Sequence, residues 1–265
     1  MRIGVFDSGL GGVSVLREIR REMPDASLHY VSDSAWVPYG PRGDDFIQVR
    51  SRALARFLVE HGADVVVVAC NTATAAAVPL LRETLGLPIV GMEPAVKPAT
   101  AATRNGKVGV LATVGTLQSA RFAALLDQFG SDIEVLTRAC PGLVEQVEAG
   151  DLDGARTRAL VEQYTAPLLR AGVDTLVLGC THFVFLRPVI EEIAGSGIEI
   201  IDTGAAVARR VRQVAESLGS TFARASGVEF WTSGDPAVLS APLNKLWGER
   251  VVLSALPGEY AGRSA

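Results

Sequence analysis

Short uninterrupted apolar runs alternate in this chain with segments whose apolar residues recur every three or four positions. The runs Ile3 to Phe6, Val65 to Ala69, Val108 to Ala112 and Leu176 to Leu178 are bounded by turn signals and contain many branched residues. That pattern predicts strands buried on both faces. Val13, Leu16 and Ile19 form a helical stripe that predicts a helix to Arg21. Phe46, Val49, Ala53, Leu54, Phe57 and Leu58 form another, ended by Gly62. Further strands are predicted at Ser27 to Ser32, Leu87 to Val90 and Glu199 to Ile201, and further helices at Ala73 to Leu85, Gly154 to Arg170 and Ala205 to Gly219. The tail around Glu229 to Asp235 predicts one strand and a short closing helix. Pro38 and Pro41 forbid regular structure in the loop Asp33 to Pro41, whose Trp36 and Tyr39 suit either a substrate wall or a packed turn.

Two stretches repeat. Gly62-Ala63-Asp64, an apolar run and Cys70-Asn71-Thr72 are echoed by Gly172-Val173-Asp174, an apolar run and Cys180-Thr181-His182. Val108 to Thr113 matches Ile3 to Ser8, and Glu199-Ile200-Ile201 matches Pro88-Ile89-Val90, in the same order. Internal duplication explains this order, with chance similarity of strand–helix units as the alternative. Strand–helix alternation throughout predicts an α/β fold: two pseudo-symmetric lobes with mainly parallel sheets, helices on their faces and a cleft between them. The lobes are expected at residues 1–96 with 208–265, and at 97–207, crossing near Lys97 to Gly106.

Composition narrows the function classes. The 265 residues are 48% hydrophobic and 20% charged, enough for a large core. A net charge of −4 argues against a nucleic-acid surface. The clusters Arg17, Arg20 and Arg21, and Arg209, Arg210 and Arg212, read as solvated helix faces. No apolar run approaches the roughly 20 residues of a membrane helix, and the amino end leads straight into a strand rather than a signal peptide. Three cysteines, an odd number, fit a reducing cytoplasm better than a disulfide framework. Dinucleotide binding is disfavoured because Ser14 stands where the third glycine belongs, and no P-loop is present. Lys97, Lys107 and Lys245 have no evident pocket for pyridoxal chemistry. His29, His61 and His182 lack ligand spacing for a metal. No cofactor is expected.

Cys70 and Cys180 each close a buried strand, where open α/β sheets carry their ligand sites. Facing lobes related by an approximate two-fold axis would put the two thiols on opposite walls of the cleft. That arrangement suits removal of a proton from one face of a carbon and delivery to the other, as a cofactor-independent racemase requires. Asp7 is placed to assist Cys70, and His182 to mirror it at Cys180. Ser8, Asn71, Thr72, Thr113, Thr116 and Thr181 sit at predicted strand-to-helix junctions. There they can hold a substrate carboxylate, and each would equally serve as an ordinary helix cap. Cys140, before Pro141, reads as a small core residue.

Asp7-Ser8-Gly9-Leu10-Gly11-Gly12, Pro38-Tyr39-Gly40, Ala69-Cys70-Asn71-Thr72-Ala73 and Gly179-Cys180-Thr181-His182 resemble the motifs of the bacterial glutamate racemase family. Cys140-Pro141 with Val147-Glu148, Ile201-Asp202-Thr203 and Phe230 to Asp235 extend the resemblance over nearly the whole chain. It implies cofactor-independent interconversion of L- and D-glutamate, supplying D-glutamate for peptidoglycan, usually as a homodimer. It implies that Cys70 takes the proton from the D-isomer and Cys180 from the L-isomer. Asp7, Ser8, Tyr39, Gly40, Asn71, Thr72, Thr181 and His182 would contact substrate or assist the thiols, with Asp33 and Glu148 as further acidic positions. One departure is His182-Phe183-Val184-Phe185, where the family commonly carries a His-Tyr-Pro-Leu-like run. Aspartate racemisation, and a non-catalytic regulatory role on the same scaffold, for example toward gyrase, are the other readings the residues leave open.

Overall fold

A computed structural model describes residues 1–130, 133–219 and 227–262. The first half runs β1 (Arg2–Asp7), α1 (Val13–Glu22), β2 (Ser27–Ser32), α2 (Asp44–Glu60), β3 (Val65–Val68), α3 (Asn71–Thr84) and β4 (Ile89–Val90). It crosses through α4 (Val96–Ala102) to β5 (Lys107–Ala112), α5 (Val114–Gln118), α6 (Ala120–Phe129) and β6 (Glu134–Ala139). Next come α7 (Leu143–Glu148), α8 (Ala155–Arg170), β7 (Thr175–Leu178), a 3-10 helix (Thr181–Leu186), α9 (Arg187–Ala194) and β8 (Glu199–Ile201). The chain returns with α10 (Gly204–Ser217), β9 (Val228–Thr232), α11 (Pro236–Trp247), β10 (Leu253–Ala255) and α12 (Gly258–Ala261).

These strands form two parallel sheets, as the alternation of elements predicts. One has the order β10-β9-β2-β1-β3-β4, the other β6-β5-β7-β8. The strands β2-β1-β3-β4 of the first sheet and the whole of the second follow the same permutation. Ile3 pairs with Val65 in one, and Val108 with Thr175 in the other. The four valines of β3 and the residues Thr175 to Leu178 of β7 are all buried, since helices cover both faces of each sheet.

The repeated aspartate has a structural reason. Asp64 Oδ2 accepts from the Arg2 N–H at 2.7 Å, which fixes the start of β1 beside β3. Asp174 Oδ2 accepts from the N–H groups of Arg104 and Asn105 at 2.7 and 2.9 Å, which ties the lobe crossing to β7. Each acidic residue thereby satisfies main-chain donors at the edge of its sheet.

Two parts depart from the sequence reading. The tail holds more than one strand and a short helix: β9 and β10 both extend the first sheet, and α11 is 12 residues long. The strand β6 has no apolar run to announce it, because it is an edge strand with Glu134, Thr137 and Arg138 exposed. Among the described residues no helix is long and apolar enough to cross a membrane.

Candidate active site

Ser8, Cys70, Thr113 and Cys180, just past the carboxyl ends of β1, β3, β5 and β7, line one cavity at the seam between the lobes. The two cysteines leave β3 and β7 with nearly the same backbone, φ −141° and ψ 123° at Cys70, φ −143° and ψ 136° at Cys180. Both line one enclosed cavity of about 290 Å³ of atom-free space. A more open groove of about 1350 Å³ by the same measure, flanked by Arg82, Arg121 and Arg210, contains no thiol. The chemistry therefore selects the smaller cavity.

Cys70 caps α3, its Sγ accepting from the Ala73 N–H at 3.4 Å, and lies 3.7 Å from Ser8 Oγ. Asp7 stands behind it, fully buried. The Asp7 carboxyl accepts from Ser8 N–H at 2.6 Å, Gly12 N–H at 2.5 Å and Thr181 Oγ1 at 3.1 Å. The last of these bonds crosses from one lobe to the other. Burial raises the Asp7 carboxyl above the usual carboxylate range, against the opposing pull of His182 and of its bond with Cys70. Burial, and after it the Asp7 charge, push the Cys70 thiol well up. The glycine turn makes this packing feasible, since a Cβ at Gly12 would lie 2.7 Å from the Asp7 Cβ.

Cys180 has a different neighbour. Its Sγ is 3.7 Å from His182 Nδ1, and His182 Nε2 is 2.7 Å from Glu148 Oε1. Burial alone favours the neutral imidazole, but the bonds to Cys180 and Glu148 outweigh it and hold His182 well above the ordinary histidine range. Glu148 also accepts from the Leu10 N–H at 2.5 Å and from Ser34 Oγ at 3.3 Å. It thus bridges α7 of one lobe to the glycine turn and the loop after β2 in the other.

The polar residues at the strand-to-helix junctions face the same cavity. Thr72, Thr113 and Thr116 hydroxyls form a triangle across the seam, with oxygen separations of 2.9, 3.0 and 3.1 Å. Asn71 is buried, yet among the described residues neither its side-chain oxygen nor its nitrogen has a partner. Such a group is left for a ligand to satisfy. Ser8, Thr181, Tyr39 and Gly40 complete the wall, together with Pro38, Val144 and Gly179, which sequence reasoning did not single out.

Asp7, Asp33 and Glu148 do not line the cavity. Asp33 is turned away, accepting from Tyr39 Oη at 2.5 Å and from Arg50 at 2.7 and 2.9 Å. Arg50 carries no motif that sequence reading could have caught. Cys140 is buried behind Cys180 with its Sγ 3.3 Å from the Arg138 carbonyl oxygen. The Val184 departure from the family run is accommodated in the 3-10 helix, whose neighbouring Phe183 is fully buried.

Comparison with known proteins agrees with this geometry. Residues 3–211 match the Asp/Glu/Hydantoin racemase family. The chain is 55% identical over 259 residues to the glutamate racemase of Stutzerimonas stutzeri, covering 96% of this chain and 97% of the relative. It is 56% identical over 250 residues to that of Pseudomonas paraeruginosa, covering 94% of each. The Escherichia coli glutamate racemase, solved with L-glutamate and the activator UDP-MurNAc-Ala, superposes with a TM-score of 0.88 at 33% identity. That match covers 96% of this chain and 97% of the other. The chain therefore belongs to the Asp/Glu/Hydantoin racemase family, alongside the glutamate racemases, and is an amino-acid racemase.

Proposed function

We propose that this protein interconverts L- and D-glutamate by two-thiol transfer of the α-proton, without a cofactor, and so supplies D-glutamate for peptidoglycan in the cytoplasm. The observation that carries the reading is that Cys70 and Cys180, with matched backbones from duplicated strand ends, line one cavity. In this mechanism one sulfur, as thiolate, takes the α-proton. The other, as thiol, donates its proton to the opposite face, and the thiolate ends on the second side. Cys70 serves the D-isomer and Cys180 the L-isomer. Asp7 adjusts the proton balance at Cys70, while the His182 imidazolium, anchored by Glu148, stabilises sulfur anion at Cys180. Asn71 and the threonine hydroxyls, with main-chain N–H groups at the starts of α3 and α5, provide donors for the substrate carboxylates. The active unit is a homodimer on this reading.

Incubation with each amino acid in heavy water tests the proposal. Deuterium should enter the α-position of glutamate and not of aspartate, with loss of optical rotation. Cys70→Ser and Cys180→Ser should each lower kcat by about 10²–10⁴-fold, the usual worth of a positioned acid or base. Exchange with aspartate alone would redirect the substrate assignment. Exchange with neither would favour a binding protein, and full turnover by either serine variant would remove the two-thiol mechanism.

A further inference from the structure

The loop from Asp33 to Gly43, between β2 and α2, supplies Tyr39 and Gly40 to the cavity wall. It contains no helix or strand, so its shape must be set by side chains. Its best-bonded anchor is an ion pair outside the cavity. Arg50, on α2 and only 5% exposed, forms a two-pronged bond to the fully buried Asp33: Nε to Oδ2 at 2.9 Å and Nη2 to Oδ1 at 2.7 Å. Asp33 Oδ2 in turn accepts from the Tyr39 hydroxyl at 2.5 Å.

The other side of this pair is α12. Arg50 Nη2 donates to the Tyr260 carbonyl oxygen at 2.7 Å, and Trp36 of the same loop donates through Nε1 to the Ala261 carbonyl at 3.0 Å. The Arg50 guanidinium lies 5.6 Å from the Trp36 ring centre. Gly262 closes over it: a Cβ there would stand 2.5 Å from Arg50 Nη1, and its φ of +69° already favours glycine. Two main-chain carbonyls of α12 are thus spent on the loop that faces the substrate.

We propose that Arg50 is a positioning residue for the racemase site: braced by the Tyr260 carbonyl, while the Ala261 carbonyl holds Trp36 of the same loop, it fixes Tyr39 and the Gly40 wall through Asp33. The segment 258–262 is then part of the substrate-binding apparatus although it lines no cavity. Burying an ion pair seldom adds stability over an apolar replacement of similar size. What the pair provides is direction, because a guanidinium fork can hold a carboxylate and a carbonyl in one plane and an ammonium cannot. Tyr39 gives its hydroxyl to Asp33, so it shapes the cavity and moves no proton. Loosening it should weaken substrate binding and leave the chemical step largely intact.

The inference rests on the racemase reading, and its test separates the two. Arg50→Met, Arg50→Lys and Gly262→Ala are compared with wild type for KM and kcat in both directions, the last because a Cβ there meets Arg50 Nη1. Hydrogen exchange of residues 33–43 and Trp36 emission, assigned with Trp36→Phe, are followed alongside. Arg50→Met and Gly262→Ala should raise KM about tenfold, the worth of roughly one net hydrogen bond, with kcat changed by about twofold or less. They should also speed exchange in residues 33–43 and red-shift Trp36. Arg50→Lys should lie between, keeping one of the two acceptors. A folded Arg50→Met with unchanged KM and unchanged exchange in that loop overturns the proposal, as does a loss confined to kcat. If Arg50→Met does not fold, Arg50→Lys and Gly262→Ala decide by the same criteria. If wild type itself fails to racemise glutamate, the functional reading falls, and the exchange and emission measurements still decide whether the clamp exists.

Discussion

Glu148→Gln isolates one charge in a site where charge placement is the central issue. The amide has the carboxylate's size and its oxygen can still accept from the Leu10 N–H, so the change removes charge and leaves volume. What it takes away is the anion 2.7 Å from the buried His182 Nε2. In the wild type, bonds to Cys180 and Glu148 outweigh burial and keep His182 protonated well above the ordinary histidine pKa. In the variant the Glu148 charge no longer opposes burial, so the His182 pKa falls, with only the Cys180 contact still raising it. A folded-state pKa above the unfolded value stabilises the wild type fully below about pH 6.5, and that stabilisation is lost as pH rises through the folded pKa. With the folded pKa lowered, the variant keeps less of this contribution and loses it at lower pH. The gap is therefore widest in acid and closes as pH rises through the wild-type folded pKa. A charge-assisted buried hydrogen bond contributes about 1.5–3 kcal/mol. At roughly 2–4 °C per kcal/mol for a chain of this size, the variant should melt about 5–10 °C below wild type in mild acid. Calorimetry from about pH 5.5 to 9.5 reads this directly. A gap that stays constant, or widens toward alkaline pH, refutes the assignment of the imidazolium to the Glu148 pair. In activity, kcat should fall by about 10²–10³-fold, since the cation beside Cys180 is less readily formed. Enantiomers have equal free energies, so kcat/KM must fall by the same factor in both directions.

Gly11→Ala tests the same residue by steric means. A Cβ at Gly11 would run into the His182 ring, and a displacement of about 1 Å at a reacting group can cost about 10²-fold in kcat. Steady-state rates, with wild-type circular dichroism as the folding control, check this; near-normal kcat would show that the ring has room to move. Thr72→Val removes the hydroxyl that joins the Thr113 and Thr116 pair across the seam. KM should rise about three- to tenfold with kcat little changed, and an unaltered KM would mean the hydroxyl makes no bond to substrate.

The strands that carry the cysteines were legible because both faces of each sheet are covered, so β3 and β7 show unbroken apolar runs. The same physics hid β6 and β10. An edge strand such as Glu134–Ala139 has solvent beside it and can be built from charged residues, and Leu253–Ala255 is too short to display a period. Residues at strand ends were also legible, since the fold dictates where ligand sites sit. Glu148 and Arg50 were not legible from pattern. The partners of Glu148 are Leu10, Ser34 and His182, and those of Arg50 are Asp33 and the Tyr260 carbonyl 210 residues away. No local spacing records such pairings. The repeated aspartates were visible as a motif, but their purpose emerged only from the main-chain donors they satisfy.

The two sulfurs leave matching strand ends with nearly the same backbone, yet they meet chemically different walls. Thiolate on the Cys70 side sits beside Asp7, and two adjacent buried anions repel, as the upward push of Asp7 on Cys70 shows. That side is relieved when Asp7 holds a proton, which its raised pKa favours. Thiolate on the Cys180 side sits beside a histidine that its bonds to Cys180 and Glu148 hold protonated. One wall therefore accommodates negative sulfur with an acid that can be neutral, the other with a base that can be charged. The Thr181 hydroxyl, donating to Asp7 across the seam, joins the two devices. On the two-thiol reading, each turnover moves one negative charge from wall to wall while the total charge of the cluster stays fixed. The low-dielectric site then never has to hold an unpaired ion at either end of the transfer.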